Sequence, residues 1–163
     1  YGIENEPIVK KCLEIKLGVN IQSCGLFVHR KLTFLAASPD GLIDNDGIVE
    51  IKCPASIKDM TPEEAFENKK LNFMSLIDGN LKFKTTHSYY FQVQEQLEIS
   101  ERNYCYFVVW TPTGMVIDKI YKNYDFWKKI MPQLEKFYME SLLPELIDSR
   151  FDRGLPLRTG LNL

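Results

Sequence analysis

The part of the sequence that most constrains the fold is a Pro-Asp-Gly turn at Asp40, followed by a short apolar strand over residues 48–52. An Asp-Asn-Asp-Gly turn separates the two, as is typical of a β-hairpin. Side chains alternate along a strand, so Glu50 and Lys52 project to one side and Ile51 to the other. With Asp40 at the end of the partner strand, we expect two carboxylates and one ammonium to converge.

This trio suits a divalent cation, a water molecule and a phosphodiester. Asp40 and Glu50 supply hard oxygens for Mg²⁺, and the carbonyl of Ile51 could add another. Lys52 could orient the water, help to deprotonate it or stabilise the charge of the transition state. Two plainer interpretations stay open, since Asp is common in such turns and Glu50 and Lys52 could form a cross-sheet ion pair. However, Glu50 lies in an apolar strand, where an unpaired carboxylate is costly.

The composition narrows the class of protein. The chain has 163 residues, of which 45% are hydrophobic, enough for one globular domain with a core. A net charge of −2 does not indicate a protein held on DNA by overall basicity. The sequence contains no apolar run long enough to predict a membrane-spanning helix. The four cysteines lack zinc spacing, which favours reduced, mostly buried thiols in an intracellular protein of the nucleus or the cytoplasm.

Apolar spacing and turn residues predict alternating helices and strands. We expect one domain over residues 1–150, lacking an upstream N-terminal segment, and a tail over residues 151–163. Residues 75–86 are expected to be irregular, and the final helical segment to be bent or broken at Pro132 and Pro144. The predicted helices cover residues 4–17 (closed by Gly18), a segment starting at Thr61, residues 87–99 and residues 124–148; the predicted strands cover residues 26–29, 32–36, 48–52, 104–110 and 115–121. This order predicts an α/β sandwich.

The stretches at residues 37–42 and 47–54 resemble the PD-(D/E)XK nuclease superfamily, and more narrowly the lambda-exonuclease-like family of YqaJ-type viral recombinases. A Gly-x-x-x-Glu pattern ending at Glu6, and a Gln-x-Gln helix at residues 90–94 before the strand at 104–110, match the same family in the same order. The resemblance covers about residues 2–140. It implies a restriction-endonuclease-like α/β core, with a central mixed β-sheet of about five strands flanked by helices.

Carried over residue by residue, the resemblance implies a role for each matching position. Asp40, Glu50 and the Ile51 carbonyl would hold one or two Mg²⁺ or Mn²⁺ ions, Lys52 would serve the attacking water, and Gln92 would contact the water or the scissile phosphate.

Three further sets of residues carry less direct expectations. Glu6 would add an acidic group near the ions; Glu4 competes for this role, and Pro7 is expected to place Glu6 at the very start of the helix. Gln94 is expected to give core or surface support. The expected nucleic-acid contacts are Ser38, Lys82, Lys84 and Tyr89.

The function implied is that of a Mg²⁺-dependent DNA nuclease, more specifically an exonuclease acting on double-stranded ends in recombination, repair or the processing of viral or foreign DNA. The implied partners are duplex DNA, further copies of the chain in a ring-shaped trimer, and a single-strand annealing protein. An endonuclease is the nearest alternative. A catalytically weak, domesticated module that binds DNA or another protein is the alternative of a different class. A nuclease with an iron–sulfur cluster is disfavoured, because only Cys105 follows Cys53.

Overall fold

A five-stranded mixed sheet lies at the centre of the structure, a computed structural model in which residues 1–158 are described. Its strand order is β1-β4-β5-β8-β9, and every neighbouring pair is antiparallel except β5 and β8, which are parallel. The strands of this sheet are β1 (Ile21–Gln22), β4 (Gly41–Ile43), β5 (Gly47–Lys52), β8 (Tyr104–Thr111) and β9 (Gly114–Tyr121). Two short hairpins stand outside it, formed by β2 (Phe27–Val28) with β3 (Ala36–Ala37) and by β6 (Met74–Ile77) with β7 (Asn80–Phe83).

The first helix, α1, spans Gly2–Leu17 and ends where Gly18 takes a left-handed conformation with φ 66°. The predicted end is confirmed, but the predicted start is wrong. Pro7 lies inside α1, so Glu6 falls in the second turn and not at the first helical position. Proline removes one backbone donor here, which the helix tolerates because Val9 and Leu13 are fully buried against the sheet.

The alternation along β5 divides the two faces of the sheet. Val49 and Ile51 belong to an apolar cluster with residues of α1, β4 and β8, whose members are Val9, Leu13, Ile43, Val49, Ile51 and Val108. Glu50, between them, projects to the opposite face. This is the side-chain distribution that the two-residue period predicts.

Two further helices begin where the sequence predicts, the first of them at the predicted Thr61 cap. α2 (Pro62–Glu67) begins after Thr61, whose hydroxyl accepts from the Glu64 backbone N–H at 3.2 Å, while the Glu64 carboxylate accepts from the Thr61 N–H at 2.8 Å. α3 (Ser88–Ile99) begins after His87 and matches the helix predicted over residues 87–99. It lies on the face of the sheet to which Glu50 projects.

Residues 75–86 are not irregular, contrary to expectation. They contain most of the β6–β7 hairpin, which turns at Asp78 and Gly79 with φ values of 49° and 74°. Two consecutive positive φ angles are the requirement of a type I′ turn, which Asp-Gly satisfies at little cost. The strand predicted over residues 32–36 is also wrong, because pairing is confined to β3 at residues 36–37.

Residues 1–122 form one compact unit, and residues 123–158 belong to a second. Its first helix, α4 (Tyr124–Phe137), continues through Pro132 without the expected break. A π-helical turn and the short helix α5 (Leu143–Ile147) follow, with Pro144 in the first turn of α5. The single domain over residues 1–150 stays a prediction, and residues 159–163 of the expected tail lie outside the described part.

The four cysteines are free thiols. Only Cys105 is buried, so the expectation of mostly buried thiols is wrong for the exposed Cys12 and the half-buried Cys24 and Cys53. Within residues 1–158, no helix has the length and apolar character needed to cross a membrane.

Candidate active site

Asp40 is anchored to the backbone of β5. Its amide donates to the Val49 carbonyl at 3.0 Å, and its carboxylate Oδ2 accepts from the Ile51 N–H at 2.6 Å. The next residue, Gly41, lies so close to β1 that a Cβ atom there would stand 2.5 Å from the Ile21 side chain. The glycine therefore lets β4 approach β1 and holds Asp40 at the end of its strand.

Glu50 is a buried carboxylate, only 3% exposed, with each oxygen hydrogen-bonded. Oε1 accepts from the Lys52 ammonium at 2.6 Å and from the Gln92 amide at 2.9 Å. Oε2 accepts from the Gln96 amide at 2.7 Å. One cation and two amides from α3 thus offset the cost of burying this charge.

Lys52 links Glu50 to an aromatic cluster. Its side chain is 20% exposed, and its ammonium lies 4.5 Å from the centre of the Tyr89 ring. The ring of Tyr89 packs in turn against a group of aromatic side chains, which are Phe73, Phe83, His87 and Phe107. The cation–π contact and the ion pair hold Lys52 at the rim of the site, within reach of solvent.

Burial and the neighbouring acidic side chains raise the proton affinity of Asp40. Burial, then the negative charge of Glu50, raise the pKa of Asp40 from 3.8 to about 6, although the Ile51 N–H opposes the shift; Glu6 raises it further. Burial, followed by the charges of Glu6 and Asp40, raises the pKa of the Cys53 thiol to about 11. Glu6 therefore shares the electrostatic environment of Asp40, and its expected place near the ions stays a prediction.

The donors present fit a hard divalent cation. Carboxylate oxygens that repel one another strongly enough to raise a pKa are relieved when a cation binds between them. In the described part of the chain, no three Asp, Glu, His or Cys side chains are already arranged around one point. Both oxygens of Glu50 accept from N–H donors, so a cation at Oε1 would compete with Lys52.

The expected nucleic-acid contacts lie in different surroundings. Ser38 is exposed on the wall of a cleft of about 190 Å³ that also borders Gln92 and Gln96. The Lys82 ammonium pairs with buried Asp118 at 2.8 Å.

The structure also gives the surroundings of three other candidate residues. The exposed Lys84 donates to the Asn72 carbonyl at 2.6 Å. Gln94 is buried and donates to the Tyr121 carbonyl at 2.9 Å, as a supporting residue does. The Glu4 side chain is 82% exposed. The roles assigned from the sequence to these residues, to Gln92 and to the Ile51 carbonyl stay predictions.

Gln96 is the site residue that the sequence analysis misses. It lies four positions after Gln92, which puts both amides on one face of α3. The four-residue spacing of Gln92 and Gln96 is visible in the sequence. The Gln-x-Gln pattern of the family, however, includes Gln94 and not Gln96.

Comparison with known proteins agrees with this architecture. A family model described as the YqaJ-like viral recombinase domain matches residues 1–103. Among curated proteins, no match is found. The crystal structure of an alkaline exonuclease (LHK-Exo) from Laribacter hongkongensis is similar with a TM-score of 0.72 and 24% identity, covering 94% of this chain and 72% of that one.

The structure of LHK-Exo in complex with dAMP is similar with a TM-score of 0.71, at the same identity and coverage. With the five-stranded mixed sheet, these likenesses confirm the predicted fold class.

Proposed function

The chain belongs to the YqaJ-like viral recombinase domain family, and on that basis we propose that it is a divalent-cation-dependent deoxyribonuclease that hydrolyses phosphodiester bonds at the ends of duplex DNA. The observation that carries the proposal is the convergence of Lys52 and Gln92 on the buried Glu50 carboxylate, at 2.6 and 2.9 Å. Asp40 stands beside them on the Ile51 amide. A buried acid held by a lysine and a glutamine is not needed to stabilise a sheet.

The cation site consists of oxygens of Asp40 and Glu50, with the Ile51 carbonyl and Glu6 as further donors. These hard ligands suit Mg²⁺ or Mn²⁺, as one or two ions. When bound, the metal supplies an activated water and neutralises charge on the phosphate. The raised pKa of Asp40 supports this assignment, because burial and the charges of Glu50 and Glu6 disfavour the ionised carboxylate, which a bound cation would stabilise.

Two side chains of this chain then act on the water and the phosphate. Lys52 Nζ is partly exposed and can donate to the attacking water or to a non-bridging phosphate oxygen. Gln92 donates to Glu50 through Nε2, and its Oε1 lies 3.4 Å from Lys52 Nζ, which orients the ammonium. A water molecule that accepts a hydrogen bond from Lys52 would therefore lie beside Glu50, close to the proposed cation site.

DNA as the substrate is supported by the family and by the similar structures, which are those of an alkaline exonuclease and of its complex with dAMP. A deoxynucleoside monophosphate is what an exonuclease releases when it removes nucleotides from DNA one at a time. The cellular setting proposed is recombination, repair or the processing of viral or foreign DNA. A ring-shaped trimer and a single-strand annealing partner stay expectations from the resemblance.

The test compares linear with covalently closed duplex DNA, each with Mg²⁺ and with excess EDTA. We expect loss of linear DNA with Mg²⁺ and none with EDTA or with Lys52→Ala, whose fold is checked by circular dichroism. Cleavage of closed circles would assign an endonuclease. Binding without cleavage, with either Mg²⁺ or Mn²⁺, would overturn the proposal in favour of the catalytically weak binding module.

A further inference from the structure

Gln96 is a buried amide whose only described partner is the Glu50 carboxylate. The residue is 2% exposed, and its Nε2 donates to Glu50 Oε2 at 2.7 Å. Within residues 1–158, its Oε1 is buried and has no hydrogen-bond partner. A buried carbonyl oxygen without a partner destabilises a fold, so an apolar residue at this position would serve the core better.

The orientation of the Gln96 amide follows from the charge on Glu50. A carboxylate accepts hydrogen bonds and cannot donate one, so it must face Nε2 and not Oε1. The unpaired Oε1 is the consequence of that choice. The cost at Oε1 thus accompanies the hydrogen bond that Nε2 donates to Glu50.

The two oxygens of Glu50 have different surroundings. Oε1 faces Lys52 and Gln92, which are both partly exposed, whereas Oε2 faces only the fully buried Gln96. Oε1 is therefore the oxygen that can exchange its partner for a cation from solvent. Oε2 is fixed from within the core by α3.

We propose that Gln96 is a positioning residue that holds Oε2 of Glu50 and so presents Oε1 alone to the divalent cation. This inference rests on the proposed function, because it assumes that Glu50 is a cation ligand. It adds a residue, and a reason for its buried and incompletely paired amide, to the set implied by the resemblance.

Holding one oxygen also affects which cation is preferred. Mg²⁺ keeps a compact octahedral shell and takes carboxylates through one oxygen, whereas Ca²⁺ readily takes both oxygens of one carboxylate. With Oε2 held by Gln96, Glu50 can bind a cation through one oxygen but not through both. Release of Oε2 should therefore weaken Mg²⁺ and Mn²⁺ binding more than Ca²⁺ binding.

The test measures cation binding without DNA, by calorimetric titration of the whole chain with Mn²⁺, Mg²⁺ and Ca²⁺. Gln96→Met removes the amide and keeps the approximate volume. Gln94→Met is the matched control, because Gln94 is equally buried on the same helix but donates to the Tyr121 carbonyl. We expect Gln96→Met to lower the Mn²⁺ affinity by about 10- to 100-fold, with a smaller loss for Ca²⁺, and Gln94→Met to change neither by more than about twofold.

The outcomes separate this inference from the proposed function. Parent-like Mn²⁺ affinity in Gln96→Met, with loss of binding in Asp40→Asn, would overturn the role of Gln96 and leave the cation site intact. Equal affinity in the parent and Asp40→Asn, or no binding by the parent, would overturn both.

If Gln96→Met does not fold, the unmodified chain gives a second measurement by nuclear magnetic resonance. The side-chain amide signals of Gln96 should shift on addition of Mg²⁺ and those of Gln94 should not, and an unmoved Gln96 signal would overturn the inference.

Discussion

Lys52 and Glu50, two residues apart on β5, form an ion pair of 2.6 Å between a partly exposed ammonium and a buried carboxylate. The same ammonium is the group that the proposed reaction uses. In the cation-free protein, Lys52 therefore stabilises the fold from the same position at which the proposed reaction uses it.

Replacement of Lys52 by Met should lower both the nuclease activity and the stability of the cation-free protein. Cleavage of linear DNA should fall by at least about 100-fold, since a positioned proton-transfer or charge-stabilising group is lost. The free energy of unfolding without cations should fall by about 3 kcal/mol, because a buried carboxylate loses its ion-pair partner. Urea titration with and without Mn²⁺ measures this, and Mn²⁺ should restore part of the loss. Lys11→Met, on the exposed side of α1, is the control; equal effects in both variants would contradict the prediction.

Replacement of Asp40 by Asn should stabilise the cation-free protein while removing its response to cations. The neutral amide ends the repulsion from Glu50 and Glu6 and can still accept from the Ile51 N–H. We expect a gain of about 1–2 kcal/mol, since the shift in pKa is partly screened by solvent. Thermal melts with EDTA test the gain in stability, and melts with Mn²⁺ test the loss of the response to cations. A variant that melts below the parent in EDTA would refute the assigned repulsion.

Cation binding should weaken below about pH 6. Asp40 has its pKa raised from 3.8 to about 6, so between these values the folded protein holds a proton that the unfolded chain has lost. The stability of the cation-free protein should thus fall as the pH rises through this window. Because a cation must displace that proton, its affinity should drop about tenfold from the plateau to pH 5. Mn²⁺ titrations at pH 5 and 7.5 check this, and equal affinities would count against it.

Substitutions of Tyr89 can distinguish two roles for this residue, which are positioning Lys52 and binding DNA. Its ring lies 4.5 Å from the Lys52 ammonium, while its hydroxyl is an expected contact for nucleic acid. Tyr89→Phe keeps the ring, so kcat should be unchanged and only the Kd for DNA should rise if the hydroxyl binds DNA. Tyr89→Leu should in addition lower kcat by about two- to fivefold, as loss of one cation–π contact predicts. An unchanged kcat in Tyr89→Leu would show that the ring does not position Lys52.

The local parts of the site were predictable from the sequence. Asp40, Glu50 and Lys52 belong to one hairpin, and the two-residue period of a strand fixes which of them share a face. Gln92 was named through the family resemblance, since the apolar spacing of α3 predicts the helix and not the part that this residue has in the site. The β6–β7 hairpin was missed even though Asp78 and Gly79 are a strong turn signal, since Lys82 and Lys84 after them were interpreted as nucleic-acid contacts and not as strand residues.

Contacts between distant segments could not be predicted in the same way. Lys82 was expected to meet phosphate because it is basic, yet the partner it has in the structure is Asp118 on β9. Only the packing of the hairpin against β9 brings these residues together. The buried position of Gln96 likewise depends on how α3 packs on the sheet, which the helical period alone does not specify.

The parallel pairing of β5 with β8 has a consequence for synthesis of the protein on the ribosome. Residues 47–52 lie in register with residues 104–109, so the strand that carries Glu50 and Lys52 waits for its second neighbour until two helices and a hairpin have been translated. Until then, the nascent chain exposes an open strand edge, the kind of surface that promotes aggregation. The residues matched by the family model end just before β8. A fragment cut at that boundary would carry every acidic group of the site and still lack the strand on which their arrangement depends.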